Sequence, residues 1–170
     1  MSKSNIRSDK NAGQVRSSND SLTKLYTSPE FLIRRVHQLA SAAFIDSCAE
    51  LDITPSQYAA LFALRQQQSV SQNELGRLIA LDRSTTSVVL KSLRERGFVN
   101  AGVDLTDKRK TILQLTNEGR LVLAQAEQRS TRASEDLLSA LSERKCAQFL
   151  SLLQQLAKSD LNITPTGSRK

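Results

Sequence analysis

Two short helices in tandem, each with its own start signal, constrain the fold of this chain more than any other feature. Ser71-Gln72-Asn73-Glu74 is a capping box, in which a glutamate follows a serine after three residues. Asp82 provides an N-cap for a second helix over residues 83–96, and Gly97 ends that helix as a C-cap. Two short helices joined by a tight turn are typical of a helix-turn-helix. The predicted inward face comprises Leu75, Leu78, Ile79, Val89, Leu90 and Leu93.

The pattern changes from helical to strand-like directly after Gly97. Phe98-Val99 is a short β-prone run, residues 102–110 are polar and charged, and residues 111–115 are β-prone again. This order predicts a β-hairpin with a basic tip. A hairpin in this place is a wing, so the sequence predicts a mainly α-helical protein with a small β-wing, a winged helix-turn-helix.

Apolar residues recur at helical spacing on both sides of this unit. Ser28-Pro29 and Thr54-Pro55 each combine an N-cap with a proline, and they predict helices over residues 30–51 and 56–68. Thr116 is predicted to cap a helix that ends near residue 141, and a last helix covers residues 142–159. The N- and C-terminal helices carry more apolar surface than one small lobe needs, which favours a homodimer. A helical monomer with a large core is the alternative, and the scarcity of aromatic residues (4%) disfavours it.

The balance of charge indicates a polyanionic partner. The net charge is +7 and the pI is about 9.8, which favours nucleic acid. Residues 1–28 and 160–170 are polar and are predicted to be flexible tails, the first of them basic. No apolar run is long enough to span a membrane, and the N-terminus lacks the apolar centre of a signal peptide. We therefore expect a cytoplasmic protein without membrane contact.

The wing carries the most specific motif in the chain. Asp107-Lys108-Arg109 is followed after five residues by Leu115-Thr116. Further matching positions are Asp82-Arg83-Ser84-Thr85-Thr86, Leu93, Gly97 and Asn117-Glu118-Gly119. With the order of helices, these residues resemble the MarR family of winged helix-turn-helix regulators over residues 29–159. The resemblance implies a DNA-binding region at residues 54–115 and dimerisation helices at residues 29–53 and 116–159.

The resemblance also implies a function. A protein of this family binds a pseudo-palindromic operator in double-stranded DNA as a homodimer, acts by default as a repressor, and is commonly released by a small anion held between the dimer and DNA lobes. The second helix of the pair is the recognition helix, whose first half reads base edges in the major groove. Its predicted DNA-facing residues are Arg83, Ser84, Thr85, Ser87, Val88 and Lys91. For Ser84 and Thr85, helix capping is the alternative.

Two further groups of residues are predicted to contact DNA. Free amides and the helix dipole at Ser71, Gln72 and Asn73 favour a phosphate, with simple capping as the alternative. The resemblance implies that Arg109 enters the minor groove, oriented by Asp107 and flanked by Lys108 and Lys110, where a solvated hairpin tip is the alternative. The chain departs from the family at Asn100 and Ala101, near the end of the first wing strand, where an arginine is common.

An effector site is predicted on the first helix. Within the family, residues 54–61 resemble regulators of aromatic-acid catabolism, including repressors of nicotinate degradation. Arg34 or His37 could meet a carboxylate, and Phe44 could line an aromatic ring. Ser41 and Tyr58 complete the predicted set of ligand-binding residues. A histidine satisfied within the structure is the alternative for His37.

Other classes of function have less support. Cys48 and Cys146 lie 98 residues apart with no CxxC pair, and an oxidant-sensing regulator that uses either thiol is one alternative. A non-specific basic nucleic-acid-binding protein or a helical interaction module is another. The chain has one histidine, no Gly-rich phosphate loop and no GxSxG motif. We therefore predict no enzyme activity, no metal and no cofactor.

Overall fold

The computed structural model describes residues 22–67, 70–103 and 111–158, and its elements follow the predicted order. The mainly α-helical fold with one small hairpin is confirmed. The elements are α1 (Pro29–Ser47), a 3-10 turn (Ala49–Leu51), α2 (Pro55–Gln66), α3 (Gln72–Leu78), α4 (Arg83–Glu95), β1 (Val99–Val103), β2 (Thr111–Leu115), α5 (Asn117–Leu138) and α6 (Glu143–Lys158).

The helices begin at the capping residues that the sequence indicates. The side chains of Ser28, Ser71, Asp82 and Thr116 each accept a hydrogen bond from a backbone amide in the first turn of the helix that follows. The helix α2 begins with a complete capping box at Thr54-Pro55-Ser56-Gln57, where only an N-cap and a proline were expected. These caps satisfy amides that have no partner within the helix, so they fix where each helix starts.

The wing is an antiparallel pair in which Val99 faces Leu115 and Val103 faces Thr111. A third segment joins it, because Val70 forms a β-bridge with Leu113 and accepts the amide hydrogen of Leu113 at 2.9 Å. This bridge was not predicted. It places the N-terminus of α3 directly against the wing.

The core lies where α2, α3, α4, the hairpin and α5 meet. Leu61, Leu75, Leu93 and Leu123 are fully buried and come from α2, α3, α4 and α5 in turn. Burial of one such side chain contributes about 2 kcal/mol. The predicted inward position of Leu78 is wrong, since this last residue of the short helix α3 is 54% exposed.

Two helices leave apolar side chains uncovered within one protomer. On α1, Leu32, Ile33, Val36 and Leu39 are exposed, and Phe44 is the buried residue of that helix. On α6, the exposed side chains include Leu150, Leu152, Leu153 and Leu156, and none of the residues of this helix is buried. The two apolar stripes of α1 are thus real, but most of their area faces away from the protomer's own core.

The predicted boundary of the N-terminal tail is wrong. Residues 22–27 are helical, and only Ser28 separates them from α1. Their apolar residues Leu22, Leu25 and Tyr26 have helical spacing, and the Tyr26 ring packs 5.3 Å from that of Phe31. Residues 1–21 and 160–170 lie outside the described residues, so the tails predicted there stay predictions. Along the described parts of the chain, none of the helices has the length and apolar character of a membrane span.

Candidate nucleic-acid interface

The recognition helix α4 is fixed at its N-terminus by Asp82. One carboxylate oxygen accepts hydrogen bonds from the Thr85 amide (2.9 Å) and the Ser84 hydroxyl (2.6 Å), and the other accepts one from the Thr85 hydroxyl (2.6 Å). These bonds stabilise the ionised form and hold the pKa of Asp82 well below its usual range. Both hydroxyls therefore donate their protons to the Asp82 cap, and only their oxygen lone pairs remain for a further contact.

The outward face of α4 continues beyond this cap. Ser87 and Lys91 are exposed, and Val88 is 69% exposed although it is apolar. The ammonium of Lys91 lies 3.9 Å from the Glu95 carboxylate, a distant and exposed pair that leaves it available for a phosphate. A small, partly apolar helix face of this kind suits close approach to base edges in the major groove.

The N-terminus of α3 lies beside α4. The Ser71 amide (2.8 Å) and hydroxyl (2.6 Å) both donate to one oxygen of Glu74, which completes the predicted capping box. Gln72 and Asn73 line a cleft together with Arg77 and Arg83. The structure thus brings Gln72 and Asn73 together with Arg83 of the recognition helix and with Arg77, which sequence reasoning missed.

A second cleft separates α4 from the wing. Its walls include Ser87, Lys91 and Arg94 of α4 together with Asn100, Ala101 and Gln114 of the hairpin. Arg94, Asn100 and Gln114 were not among the predicted DNA contacts. The predicted contacts Asp107, Lys108, Arg109 and Lys110 lie outside the described residues, which end at 103 and resume at 111.

Two contacts hold α4 to the segment that joins α1 and α2. The Gln57 side-chain amide, which is buried, donates to the Ser92 hydroxyl at 3.0 Å. The guanidinium of Arg96 donates to the backbone oxygens of Leu51 (2.8 Å) and Asp52, and it lies 4.7 Å from the centre of the Phe98 ring. The orientation of the recognition helix therefore depends on residues 51–57.

The same segment forms one wall of a small cleft of about 210 Å³. His37, Ser41 and Phe44 of α1 line it, as predicted for the effector site, and face Pro55. The rest of the lining comes from Ala40 of α1 and from Ser130, Ala133, Ser134 and Leu137 of α5. Sequence reasoning missed the α5 residues because no charge, aromatic ring or motif marks them.

The other two predicted ligand residues are placed differently. Arg34 is exposed on α1 and is not among the residues that line the cleft. Tyr58 lies behind Phe44, with 5.3 Å between ring centres, and does not line the cleft. Burial raises the pKa of the Tyr58 phenol, and a hydrogen bond with Ser130 opposes this effect. Tyr58 thus ties α2 to the α5 wall and supports the cleft from behind.

The cysteines differ in accessibility. Cys48 is fully buried, and this burial raises the pKa of its thiol, with a smaller opposing effect from Arg129. Cys146 is partly exposed, and its sulfur lies 3.5 Å from the Leu138 oxygen and 3.6 Å from that of Leu141. A buried thiol with a raised pKa is a poor nucleophile, so the structure gives no support to oxidant sensing at Cys48.

A hairpin that extends a capped helix-turn-helix, together with an outward recognition face, defines a winged helix-turn-helix regulator of transcription. The sequence profile of the MarR family matches residues 51–110. The transcriptional repressor NicR of Pseudomonas putida is 30% identical over 131 residues, which cover 77% of this chain and 83% of NicR. The chain belongs to the MarR family, and the predicted resemblance is confirmed.

Solved structures agree with this assignment. The PcaV regulator of Streptomyces coelicolor, in complex with its natural ligand, has a TM-score of 0.73 and 32% identity, covering 79% of this chain and 95% of PcaV. A MarR variant of E. coli in complex with operator DNA has a TM-score of 0.69 and 25% identity, covering 74% of this chain and 90% of MarR. Relatives with this fold are thus known in complex with a ligand and with DNA.

Proposed function

We propose that the protein is a repressor that binds a pseudo-palindromic operator as a homodimer and is released by a small aromatic or pyridine carboxylate. The exposed face of α4, with Ser87, Val88 and Lys91 beside a basic cleft, carries the DNA-binding part of this proposal. The DNA complex of the MarR relative supports it. The protein acts in the cytoplasm, where its operator lies, and has no catalytic role.

The apolar faces of α1 and α6 support the homodimer. Both are continuous rows of branched aliphatic side chains at helical spacing, and several of these side chains are about half exposed in one protomer. Apolar patches of this size on a soluble protein mark association surfaces. Two recognition helices related by a twofold axis then match two half-sites of one operator.

The cleft between α1, α2 and α5 supports the effector class. Its volume of about 210 Å³ suits a single ring with a carboxylate rather than a drug-sized molecule. Phe44 and Pro55 offer apolar contacts, while His37, Ser41 and the serines of α5 offer hydrogen bonds. His37 donates a hydrogen bond to the carboxylate, and Arg34, one turn before it on α1, adds a positive charge nearby. PcaV, a relative of similar structure, is known in complex with its natural ligand, which supports a ligand-binding role for this protein.

The wing tip contributes a separate contact. Arg109 is proposed to enter the minor groove, with Asp107 as its orienting partner and Lys108 and Lys110 on the phosphates. Replacement of Arg109 by alanine is expected to lower operator affinity strongly without changing the melting temperature. A gel-shift titration with unchanged affinity would remove Arg109 from the interface.

The test begins with the selection of duplexes from genomic DNA by the purified protein. A pseudo-palindromic footprint with two half-sites about one helical turn apart is expected.

Nicotinate, benzoate and their hydroxylated derivatives are then titrated into the complex, with cyclohexanecarboxylate as the non-aromatic control. Release by an aromatic acid in the wild type, and a weaker response in His37→Gln, support the proposal. If no acid releases the DNA, the effector class is wrong, while equal binding to all sequences would contradict the operator itself.

A further inference from the structure

The cleft beside α3 and the cleft beside the wing form one continuous trough along the same side of α4. Gln72 lines both clefts and so marks the point where they meet. Arg77 and Arg83 lie at one end, while Lys91 and Arg94 lie at the other. We call this surface the basic trough. Its length between positions 83 and 94 of the helix is about 16 Å at 1.5 Å per residue.

The charges in the basic trough are strongly unbalanced. Four cationic side chains face one carboxylate, that of Glu95, which lies 3.9 Å from Lys91. Arg77, Arg83 and Arg94 are exposed, and they form no ion pair with another side chain of the described residues. This excess of positive charge attracts a polyanion to the trough.

The position of the trough identifies the polyanion. If the outward face of α4 enters a major groove, the sugar-phosphate backbone that borders the groove passes beside the helix. The trough lies on that side, between the recognition helix and the wing. Amide side chains at Gln72, Asn100 and Gln114 add hydrogen-bond donors to the cations, a combination that suits phosphodiester oxygens.

We propose that the basic trough binds one sugar-phosphate strand of duplex DNA, with Arg77 and Arg94 as contacts at its two ends. This inference rests on the proposed DNA-binding function and extends it to residues without a predicted role. Arg94 lines the same cleft as Asn100 and Ala101 of the first wing strand. The recognition helix thus places a cation against an uncharged part of the wing.

The experiment compares Arg77→Gln, Arg94→Gln and Arg132→Gln. Arg132 is exposed on α5 and lines neither cleft, so its variant controls for the loss of one positive charge. Each protein is titrated by fluorescence anisotropy with a duplex that the wild type selected and with a scrambled duplex, over a series of salt concentrations. The first two variants are expected to bind both duplexes about tenfold more weakly, with the salt slope reduced by about 0.9 for each lost phosphate contact. Arg132→Gln is expected to bind like the wild type.

The possible failures are distinguishable. If Arg94→Gln and Arg77→Gln keep the affinity and salt slope of a wild type that prefers its selected duplex, the trough proposal is wrong and the regulator function stands. If Arg94→Gln changes which sequence is preferred, it reads bases, which also overturns the proposal. If the wild type prefers no sequence, the regulator function fails, while an equal loss on both duplexes in the variants still supports the trough.

Discussion

Asp82 begins the recognition helix with hydrogen bonds to three groups of the following turn. These bonds lower the pKa of Asp82 in the folded protein relative to the unfolded chain. A carboxylate with a lowered pKa adds stability above its unfolded pKa of about 3.9, and this stability is lost as the pH falls further. The stability of the N-terminal turn of α4 therefore depends on the ionisation of Asp82.

Two substitutions separate capping from ionisation at Asp82. Asp82→Asn keeps an acceptor for the Thr85 amide and is expected to unfold at nearly the wild-type temperature at pH 7, whereas Asp82→Ala unfolds at a lower temperature. Below about pH 4 the wild type is expected to lose stability that Asp82→Asn does not lose. Thermal unfolding followed by circular dichroism from pH 7 to pH 3 measures both effects. Parallel pH profiles of the unfolding temperature for the wild type and Asp82→Asn would show that protonation of Asp82 does not cause the loss of stability.

Gly119 occupies a position at the start of α5 where no side chain fits. A Cβ atom there would lie 2.2 Å from the Phe98 oxygen and 2.8 Å from a methyl carbon of Leu115. Gly119→Ala is therefore expected to lower the free energy of unfolding by about 3 kcal/mol, although alanine favours helix. Gly102→Ala is the control, because the nearest atom to its Cβ is 4.0 Å away, and we expect a change below about 1 kcal/mol. Equal unfolding curves for the two variants in urea would refute this account.

At the scale of elements, α4 has one face that is proposed to read DNA and another that attaches it to α2. Ser87 lies on the first face and Ser92 on the second. Ser92→Ala leaves the buried amide of Gln57 without this partner and is expected to lower the free energy of unfolding by about 1 kcal/mol. Ser87→Ala should change it by less than about 0.5 kcal/mol and instead weaken operator binding. Urea unfolding and a DNA titration of both variants test this division. It is wrong if Ser87→Ala lowers the free energy of unfolding as much as Ser92→Ala does, or if Ser87→Ala leaves operator affinity unchanged.

The sequence predicted those elements that local signals mark. Caps at Ser71, Asp82 and Thr116 and the periodicity that ends at Gly97 depend on neighbouring residues, so they are readable without a structure. The strand bridge at Val70 was not predictable, because it depends on pairing with a residue 43 positions away.

The proposed effector cleft was likewise only partly predictable from the sequence. Its α1 wall follows from the spacing of His37, Ser41 and Phe44, which local periodicity places on one face. The opposite wall on α5 depends on how two distant helices pack, and its serines and small apolar residues carry no sequence signal. Arg34 does not line the cleft, although its charge suggested that it would meet a carboxylate. It lies one turn before His37 on nearly the same side of the helix, so its spacing alone could not decide this.

At the scale of the whole molecule, the proposed effector cleft and the proposed DNA-binding surface share the segment of residues 51–57. The Pro55 ring lines the cleft, while Gln57 and the carbonyls of Leu51 and Asp52 hold α4. Two ion pairs join α5 to the elements on either side of this segment, Arg65 of α2 with Glu127 and Glu50 of the 3-10 turn with Arg129, each at 2.6 Å. The Arg65 guanidinium donates to Glu127 and lowers the pKa of that carboxyl. A ligand that moves Pro55 relative to α5 would therefore shift the recognition helix, which gives the proposed release a physical route.

Binding to two half-sites of one operator requires a homodimer, since one protomer has one recognition helix. Leu153 lies on the uncovered apolar row of α6 and is 38% exposed, and Leu153→Glu would place a charge in the proposed subunit interface. Because burial of an unpaired carboxylate is costly, we expect this variant to be a monomer in sedimentation equilibrium. Loss of the second half-site should weaken operator binding about a hundredfold or more. Leu78→Glu on α3, at a position that is 54% exposed and lies outside the predicted dimerisation helices, is the matched control and should remain a dimer. A Leu153→Glu protein that stays dimeric would show that α6 does not form the interface, whereas a monomer that keeps full operator affinity would show that the dimer is not needed for DNA binding.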